Sequence, residues 1–130
     1  MNAKQRREGV YTSLMAGALR EGEQAYHDCV PTPVRFYQAG TDPDVTGETV
    51  ADGLCGFAWV RLKPANSPFA NWLRKQENKR FRTHRGYPTG LEIWPAGVSQ
   101  SWERKKAWAN AVAKVLSDAG LKAYAGDRLD

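Results

Sequence analysis

The most apolar stretch of the chain, and the one that decides its fold, is Leu54-Cys55-Gly56-Phe57-Ala58-Trp59-Val60-Arg61-Leu62. Successive side chains of a strand point to opposite faces of a sheet, so the large side chains of this stretch divide between both faces. Apolar side chains on both faces are typical of a strand that is covered on each side. We therefore predict a strand at the centre of a sheet, with a bulge or a closely packed element at Gly56.

Downstream of this strand the sequence predicts two helices and two further strands. Ser67 followed by Pro68 is a helix start, because a hydroxyl side chain caps the first amide groups and proline fits the first turn. A longer helix with an apolar stripe begins at Ser101 and ends at Gly120. The two further strands are predicted over residues 91–94 and 121–125.

Upstream, apolar side chains recur every three to four residues over about residues 8–27, which predicts an amphipathic helix. Pro31 and Pro33 end this helix because proline has no amide proton. The alternating segment 34–38 predicts a strand at the edge of a sheet. Residues 39–53 are rich in turn formers, and we interpret them as a long polar loop, either an arm that contacts a partner or a plain surface insertion.

Together these elements predict one domain of the α+β class over residues 1–130. A small mixed four-stranded sheet carries an N-terminal helix, a short middle helix and a long C-terminal helix packed on it. The length suits a single domain, and a composition with 42% hydrophobic residues suits a folded chain. The domain has two irregular segments, the polar loop 39–53 and a basic loop 74–89.

Nothing in the sequence predicts insertion into a membrane or export. No apolar run approaches the roughly 20 residues that span a bilayer, and the first residues lead into no apolar signal segment. The two cysteines, Cys29 and Cys55, are too few for a disulfide framework or a four-ligand zinc site. We interpret them as buried small apolar residues in a reducing compartment, and we expect a soluble protein with no membrane partner.

Positive charge is concentrated in one segment. The chain has a formal net charge of +5, and residues 74–85 hold 6 basic side chains against 1 acidic one. Clustered Lys and Arg bind phosphates by counterion release, so one interpretation of this segment is a contact for nucleic acid or for an acidic protein surface. The other interpretation is a solvated loop. Phe81 and Tyr87 are candidates to stack on bases. The candidate contact residues are Arg74, Lys75, Lys79, Arg80, Arg82 and Arg85.

The sequence contains no recognisable catalytic motif. There is no glycine-rich phosphate loop, no Cys-x-x-Cys and no His-Glu-x-x-His, and the whole chain has 2 histidines. In His27-Asp28-Cys29, neighbouring helix positions point in different directions and cannot form a base and nucleophile pair. We therefore expect no enzyme activity, no catalytic residues, no cofactor, no metal and no small-molecule substrate.

The chain has 5 tryptophans, which is many for its length. Trp59, Trp72 and Trp108 fall on apolar faces, so core packing accounts for them. Trp94 and Trp102 flank a loop, where partial exposure would suit them as anchors of an interface. These two are therefore the candidate interface aromatics.

Several of these features combine in one layout. They are the N-terminal helix, the proline-led strand Pro33-Val34-Arg35-Phe36-Tyr37, the long loop, the apolar strand 54–62 and the Ala-rich C-terminal helix 102–119. This layout resembles that of the small neck and tail-terminator proteins of tailed bacteriophages. The resemblance implies a structural protein of the virion, made in the host cytoplasm, that assembles as a homo-oligomeric ring at the head-tail junction. Other virion proteins would be its partners, with DNA as a further contact.

The basic segment 74–85 departs from that resemblance. A ring that lines a DNA channel is often less positive, so the segment could instead clasp an acidic neighbour. The alternative function is a small phage protein that binds nucleic acid or blocks a host defence and acts through segment 74–85.

Overall fold

The structure, a computed structural model, describes residues 1–86 and 89–130, which form four helices and six strands. The helices are α1 (Ala3–Asp28), α2 (Pro43–Thr46), α3 (Pro68–Leu73) and α4 (Trp102–Asp118). The strands are β1 (Val34–Phe36), β2 (Glu48–Val50), β3 (Gly56–Lys63), β4 (Phe81–Arg85), β5 (Leu91–Pro95) and β6 (Lys122–Leu129). One turn of 3-10 helix, Arg74–Gln76, directly follows α3.

The central sheet has four strands in the order β4-β5-β3-β6. β3 lies inside this sheet, which confirms the central position predicted for residues 54–62. Val60 of β3 pairs with Ile93 of β5 on one side and with Ala125 of β6 on the other. The predicted α+β fold is confirmed, with a four-stranded sheet, an N-terminal helix and a long helix that precedes the last strand. Every neighbouring pair of strands is antiparallel, so the sheet is not mixed as predicted.

α4 packs on one face of the central sheet, along β3 and β6, and α1 packs against α4 on the same side. Gly22 of α1 marks a close approach of the two helices, because a Cβ there would lie 2.6 Å from Cγ2 of Val112 and 3.0 Å from Cδ1 of Trp108. Burying one large apolar side chain in such a core stabilises the fold by about 1.5–3 kcal/mol. The core includes Met15, Leu19, Val60, Leu62, Leu91, Ile93, Trp108, Val112 and Leu116.

The helices begin and end at capping residues. Oδ1 of Asn2 accepts from the N–H of Gln5 at 2.8 Å, and Oε1 of Gln5 accepts from the N–H of Asn2 at 3.0 Å. This capping box starts α1 earlier than the predicted residue 8. Ser67 and Ser101 cap α3 and α4 as predicted. Gly120, with φ +90°, ends α4 as predicted, in the left-handed conformation that glycine adopts most readily.

The predicted polar loop 39–53 forms the returning half of a hairpin that begins at strand β1. It contains α2 and β2, and β2 pairs with β1 in a separate two-stranded sheet. The β-branched Thr49 and Val50 suit a strand, while Asp42 caps the short helix that turns the chain back. The strand predicted at 34–38 therefore belongs to this hairpin and not to the central sheet.

The fourth strand of the central sheet comes from the basic segment that was expected to be a loop. β4 pairs with β5 along the whole of its length. Phe81 explains this, because its side chain is 1% exposed and anchors the strand in the core. Phe81 is therefore not available to stack on bases, and Tyr87 lies outside the described residues.

β3 is buried on one face and partly exposed on the other. Ala58, Val60 and Leu62 are buried, whereas the side chains between them are only partly buried. α1 and α4 both lie on the first face, and no described helix covers the second. The prediction that both faces are covered is therefore wrong, and Trp59, assigned to the core from the sequence, lies on the partly exposed face. The prediction that both cysteines are buried is also wrong, because Cys55 is exposed and Cys29 is only partly buried.

Candidate functional site

The open face is the side of the central sheet that carries no helix in the described part of the chain. Strand alternation places every second side chain of the four strands on it. β3 and β5 form its middle, and β4 and β6 form its edges. Its side chains are Phe57, Trp59, Arg61, Lys63, Arg82, His84, Glu92, Trp94, Lys122, Tyr124 and Arg128.

Aromatic rings occupy the middle of the open face. Trp59 of β3 stacks on Trp94 of β5, with ring centroids 5.1 Å apart and planes inclined by 20°. Phe57 and His84 approach the ring of Trp94 edge-on, at 6.0 and 5.9 Å. Each aromatic pair contributes about 0.5–1.5 kcal/mol beyond the area it buries. These contacts hold the two indoles in defined orientations.

A cleft of about 290 Å³ opens beside Trp59 on the β6 side of the open face. Trp59 and Tyr124 are its two aromatic lining residues, and Arg61, Lys63 and Gly126 also line it. A Cβ at Gly126 would lie 2.7 Å from Nε1 of Trp59, so glycine leaves the space that the indole needs over β6. The ring of Tyr124 is accessible, since this residue is 55% exposed.

The open face is strongly basic. Glu92 is its one carboxylate among the described residues, and Oε2 of Glu92 is already paired with Nη2 of Arg61 at 3.0 Å. Nε of Arg61 is buried and has no hydrogen-bond partner in the described part of the chain. The guanidinium of Arg128 lies 5.2 Å from the centre of the Phe57 ring. Five cationic side chains lie on this face, namely Arg61, Lys63, Arg82, Lys122 and Arg128.

The six basic side chains of segment 74–85 do not form one patch. Arg80 turns towards α1, where Nε and Nη2 donate to the carboxylate of Glu23 at 2.7 and 2.8 Å. These hydrogen bonds lower the pKa of Glu23 below its ordinary 4.5 and raise the pKa of Arg80. Arg82 lies on the open face, and Arg74 donates a hydrogen bond to a side chain of α3.

The other three basic residues of the segment lie on separate parts of the surface. Lys75 lines a cleft of about 260 Å³ together with Lys4 and Arg7 of α1. Lys79 lines a second cleft between α1 and the residues after β5. Arg85 lines a third, at the end of β4. The predicted contact residues are thus distributed over several surfaces, and the open face contains one of them, Arg82.

The two tryptophans predicted to anchor an interface lie on opposite faces of the central sheet. Trp94 belongs to the aromatic centre of the open face. Trp102 begins α4 and covers Gly56, where a Cβ would lie 2.8 Å from Cδ1 of the indole. Nε1 of Trp102 donates to Oδ1 of Asp127 at 3.1 Å, and Nζ of Lys106 lies 3.8 Å from its ring centre. The close packing predicted at Gly56 is thereby confirmed.

Sequence patterns did not identify Tyr124 and Gly126 as residues of a site. The alternation in β6 could have done so, because Lys122, Tyr124 and Arg128 share one face and the small residues Ala123 and Ala125 share the other. What alternation does not show is which strand lies beside β6. The pairing of β6 with β3 is what brings Tyr124 and Gly126 next to Trp59.

The hairpin arm, residues 34–50, is the second notable surface. Its two strands pair with each other and make no comparable contact with another helix or strand of the described chain. Phe36, Tyr37 and Val45 are 53%, 54% and 79% exposed. Arg35 and Asp44 lie 3.7 Å apart within the arm. The arm therefore presents apolar side chains that the domain itself does not bury.

The root of the hairpin arm is tied to the start of α4. Oδ1 of Asp52 lies 3.9 Å from Nε of Arg104, and the N–H of Thr32 donates to Oε2 of Glu103. A groove of about 330 Å³ lies beside this root. Its lining is mainly apolar and consists of Phe36, Val50, Gly53, Leu54, Cys55, Leu129 and Asp130.

Lys105 is buried under the first turns of α4. Nζ of Lys105 donates to the carbonyl oxygen of Gly56 at 3.0 Å. Burial lowers the pKa of Lys105 below its ordinary 10.5. Its partner is a backbone carbonyl at the start of β3, so the side chain joins α4 to the central sheet.

In the described residues no group of three or more His, Cys, Asp or Glu side chains is placed to hold a metal ion. No described helix is both long enough and apolar enough to cross a membrane. Comparison of the chain with protein-family models, with curated proteins and with solved structures returned no match.

Proposed function

We propose that the chain is a non-enzymatic structural subunit of a tailed-phage virion that assembles as a ring at the head-tail junction. The hairpin arm carries this proposal. Exposed apolar surface on a folded protein marks sites of interaction, and Phe36, Tyr37 and Val45 expose such surface on an element that stands apart from the core. The arm therefore suits contact with another protein.

A ring needs two different surfaces on each subunit. Head-to-tail contacts join one patch of a subunit to a different patch of the next, and they close into a ring when the rotation between subunits permits. The hairpin arm supplies one patch, and the apolar groove beside its root supplies a second of suitable character. The proposed partners are further copies of the chain and other virion proteins, and the proposed location is the virion, after synthesis in the host cytoplasm.

Quantitative mass spectrometry of purified phage particles tests this function. A small fixed copy number of the chain relative to the major capsid protein supports one symmetric ring per particle. Absence of the chain from particles, together with clear expression in infected cells, contradicts the proposal.

Substitutions in the hairpin arm test which surface assembles. Tyr37→Ser combined with Val45→Asp changes two exposed side chains, so the stability of the monomer should change by less than about 0.5 kcal/mol. Incorporation into particles should be lost. Val10→Asp, at a 65% exposed position on α1, is the matched control and should be incorporated normally. Normal incorporation of the arm variant would remove the arm from the proposal.

The second candidate function is a small phage protein that binds nucleic acid or blocks a host defence through segment 74–85. It is favoured by the cleft in which Lys75 lies beside Lys4 and Arg7, since this cleft extends the basic surface onto α1. Replacing the basic residues of segment 74–85 with Gln should then abolish a salt-sensitive affinity for DNA, RNA or an acidic protein. An affinity that these substitutions leave unchanged would contradict this candidate.

A further inference from the structure

We propose that the open face binds single-stranded nucleic acid, with one base in the cleft between Trp59 and Tyr124 and the backbone phosphates on the surrounding cations. This surface is distinct from the hairpin arm and from most of segment 74–85. The proposal does not depend on ring assembly.

The cleft has the chemistry of a base-stacking site. Trp59 is held by its stack with Trp94, at 5.1 Å, and by its close packing over Gly126, and in this position its indole lines the cleft. Tyr124 is the second ring at the cleft, and it is accessible. Proteins that bind single strands place bases on aromatic rings of this kind, and each stacked base contributes about 1–3 kcal/mol.

The positive charges around the cleft would be complemented by an anion. Lys63 of β3 and Lys122 of β6 are directly paired across the two strands. Like charges in such a position destabilise a sheet, and an anion between them would reverse that effect. Arg61 lines the same cleft, but its charge is already paired with Glu92 at 3.0 Å, so the two lysines are the cations that an anion would meet. Phosphates of a nucleic acid backbone supply the missing negative charge.

A single strand fits this face better than a duplex does. The indoles of Trp59 and Trp94 are partly buried within the sheet, and they cannot reach bases that are stacked inside a double helix. A single strand exposes the faces of its bases, and a sheet with aromatic rings on its exposed face can receive them. RNA and DNA share this chemistry, so both are probes in the test.

Charge also argues against a second copy of the chain as the occupant. Two copies meeting through this face would bring five cations against five, with a single carboxylate, Glu92, on each side among the described residues. An acidic protein would pair with the cations, but its charge would not explain a cleft between two aromatic rings. It is therefore an outcome of the experiment and not the proposal.

The experiment measures the fluorescence anisotropy of labelled oligonucleotides with the full chain. The probes are single strands of about 12 nucleotides of thymidine or uridine, and a duplex of equal length. Salt is varied from about 50 to about 200 mM, because phosphate contacts make binding salt-dependent. We expect a single strand of DNA, RNA or both to bind more tightly than the duplex, and the intrinsic tryptophan fluorescence to change on binding.

Two variants test the proposed contacts separately. Tyr124→Ala should weaken single-strand binding by about 5- to 150-fold, because one stacked base is lost. Lys63→Gln with Lys122→Gln should weaken binding and reduce the slope of log affinity against log salt by about 0.7 for each phosphate contact removed. Lys75→Gln with Lys79→Gln removes the same charge elsewhere and is the matched control, which should keep the affinity within about twofold. Circular dichroism of each variant checks that it folds.

Three results would overturn the proposal. The first is absence of single-strand binding at the lowest salt. The second is an equal loss of affinity in the control pair and in the Lys63 and Lys122 pair, with Tyr124→Ala unchanged. The third is equal competition by poly-glutamate, which would assign the face to an acidic protein. Incorporation of Tyr124→Ala into phage particles reports on the ring separately, so failure of one proposal is distinguishable from failure of the other.

Discussion

Gly126 of β6 is paired in register with Trp59 of β3, and a Cβ on Gly126 would lie 2.7 Å from Nε1 of the indole. The missing side chain therefore determines where the indole lies. Trp94 stacks on the same indole from β5, so the three strands β5, β3 and β6 define one aromatic site between them.

Gly126→Ala should displace the indole of Trp59 and partly close the cleft. Overpacking of this kind typically costs about 1–3 kcal/mol, which urea denaturation will measure. Binding of a single-stranded oligonucleotide should weaken in parallel. Gly9→Ala is the control, because a Cβ at Gly9 meets nothing within 4 Å, and alanine should stabilise the helix by up to about 1 kcal/mol. Unchanged stability and unchanged tryptophan fluorescence in Gly126→Ala would contradict the described contact.

Gly22→Ala should loosen the packing of α1 on α4. The new methyl group would lie 2.6 Å from Cγ2 of Val112, so the helices must separate or Val112 must change rotamer. We expect a loss of about 1–3 kcal/mol in the free energy of unfolding, despite the higher helix propensity of alanine. Thermal or urea denaturation compares this variant with Gly17→Ala, whose nearest contact is the flexible end of Arg20 at 3.7 Å. Equal stability of the two variants would count against the close approach.

Glu23→Gln should remove an acid-sensitive contribution to stability. The hydrogen bonds from Arg80 lower the pKa of Glu23 in the folded state, so the contribution is present above the ordinary value of 4.5 and is lost as pH falls through the folded-state pKa. The side chains are 44% and 41% exposed, which limits the pair to about 0.2–1 kcal/mol. Urea denaturation at several pH values measures the difference from the native protein, with Glu21→Gln on the same helix as the control. If the difference in the free energy of unfolding between the native protein and Glu23→Gln stayed constant as the pH fell below 4.5, the prediction would be contradicted.

Lys105→Met should abolish an alkaline gain in stability. Burial lowers the pKa of Lys105 in the folded state, so the unfolded chain binds more protons as pH rises towards 10.5. The free energy of unfolding of the native protein should therefore rise in that range relative to Lys105→Met, and the other titrating groups cancel in the comparison. Lys4→Met, on the exposed start of α1, is the control, and its free energy of unfolding should rise with pH as that of the native protein does. Parallel stability curves for the native protein and Lys105→Met would refute the effect of burial.

Local patterns in the sequence predicted most of the helices and strands. Ser67, Ser101 and Gly120 act at the positions expected of them, because capping depends on the chain within one turn of a helix. Most of the stretch 54–62 lies in the inner strand β3, because Ala58, Val60 and Leu62 share one face and pack in the core. Phe81 was the exception, since a single buried ring in a basic segment is too weak a pattern to indicate a strand.

The candidate site was largely beyond prediction from the sequence. The basic segment predicts one patch, yet Arg80 pairs with Glu23, which lies on a different element, and Arg82 alone reaches the open face. Trp94 was correctly singled out as partly exposed, but its partner Trp59 was assigned to the core. Both errors have the same origin, because the neighbours of a side chain across a sheet come from distant parts of the chain.

The sequence by itself therefore determined the fold class, the order of most elements, the start of α3 and both ends of α4, because periodicity and capping act over a few residues. Only the tertiary structure decided which face of β3 the helices cover and that residues 34–50 form a hairpin arm. It also decided that Trp59 stacks on Trp94, packs over Gly126 and shares a cleft with Tyr124. Those features depend on strand order and on contacts between residues far apart in the chain, which no local pattern specifies.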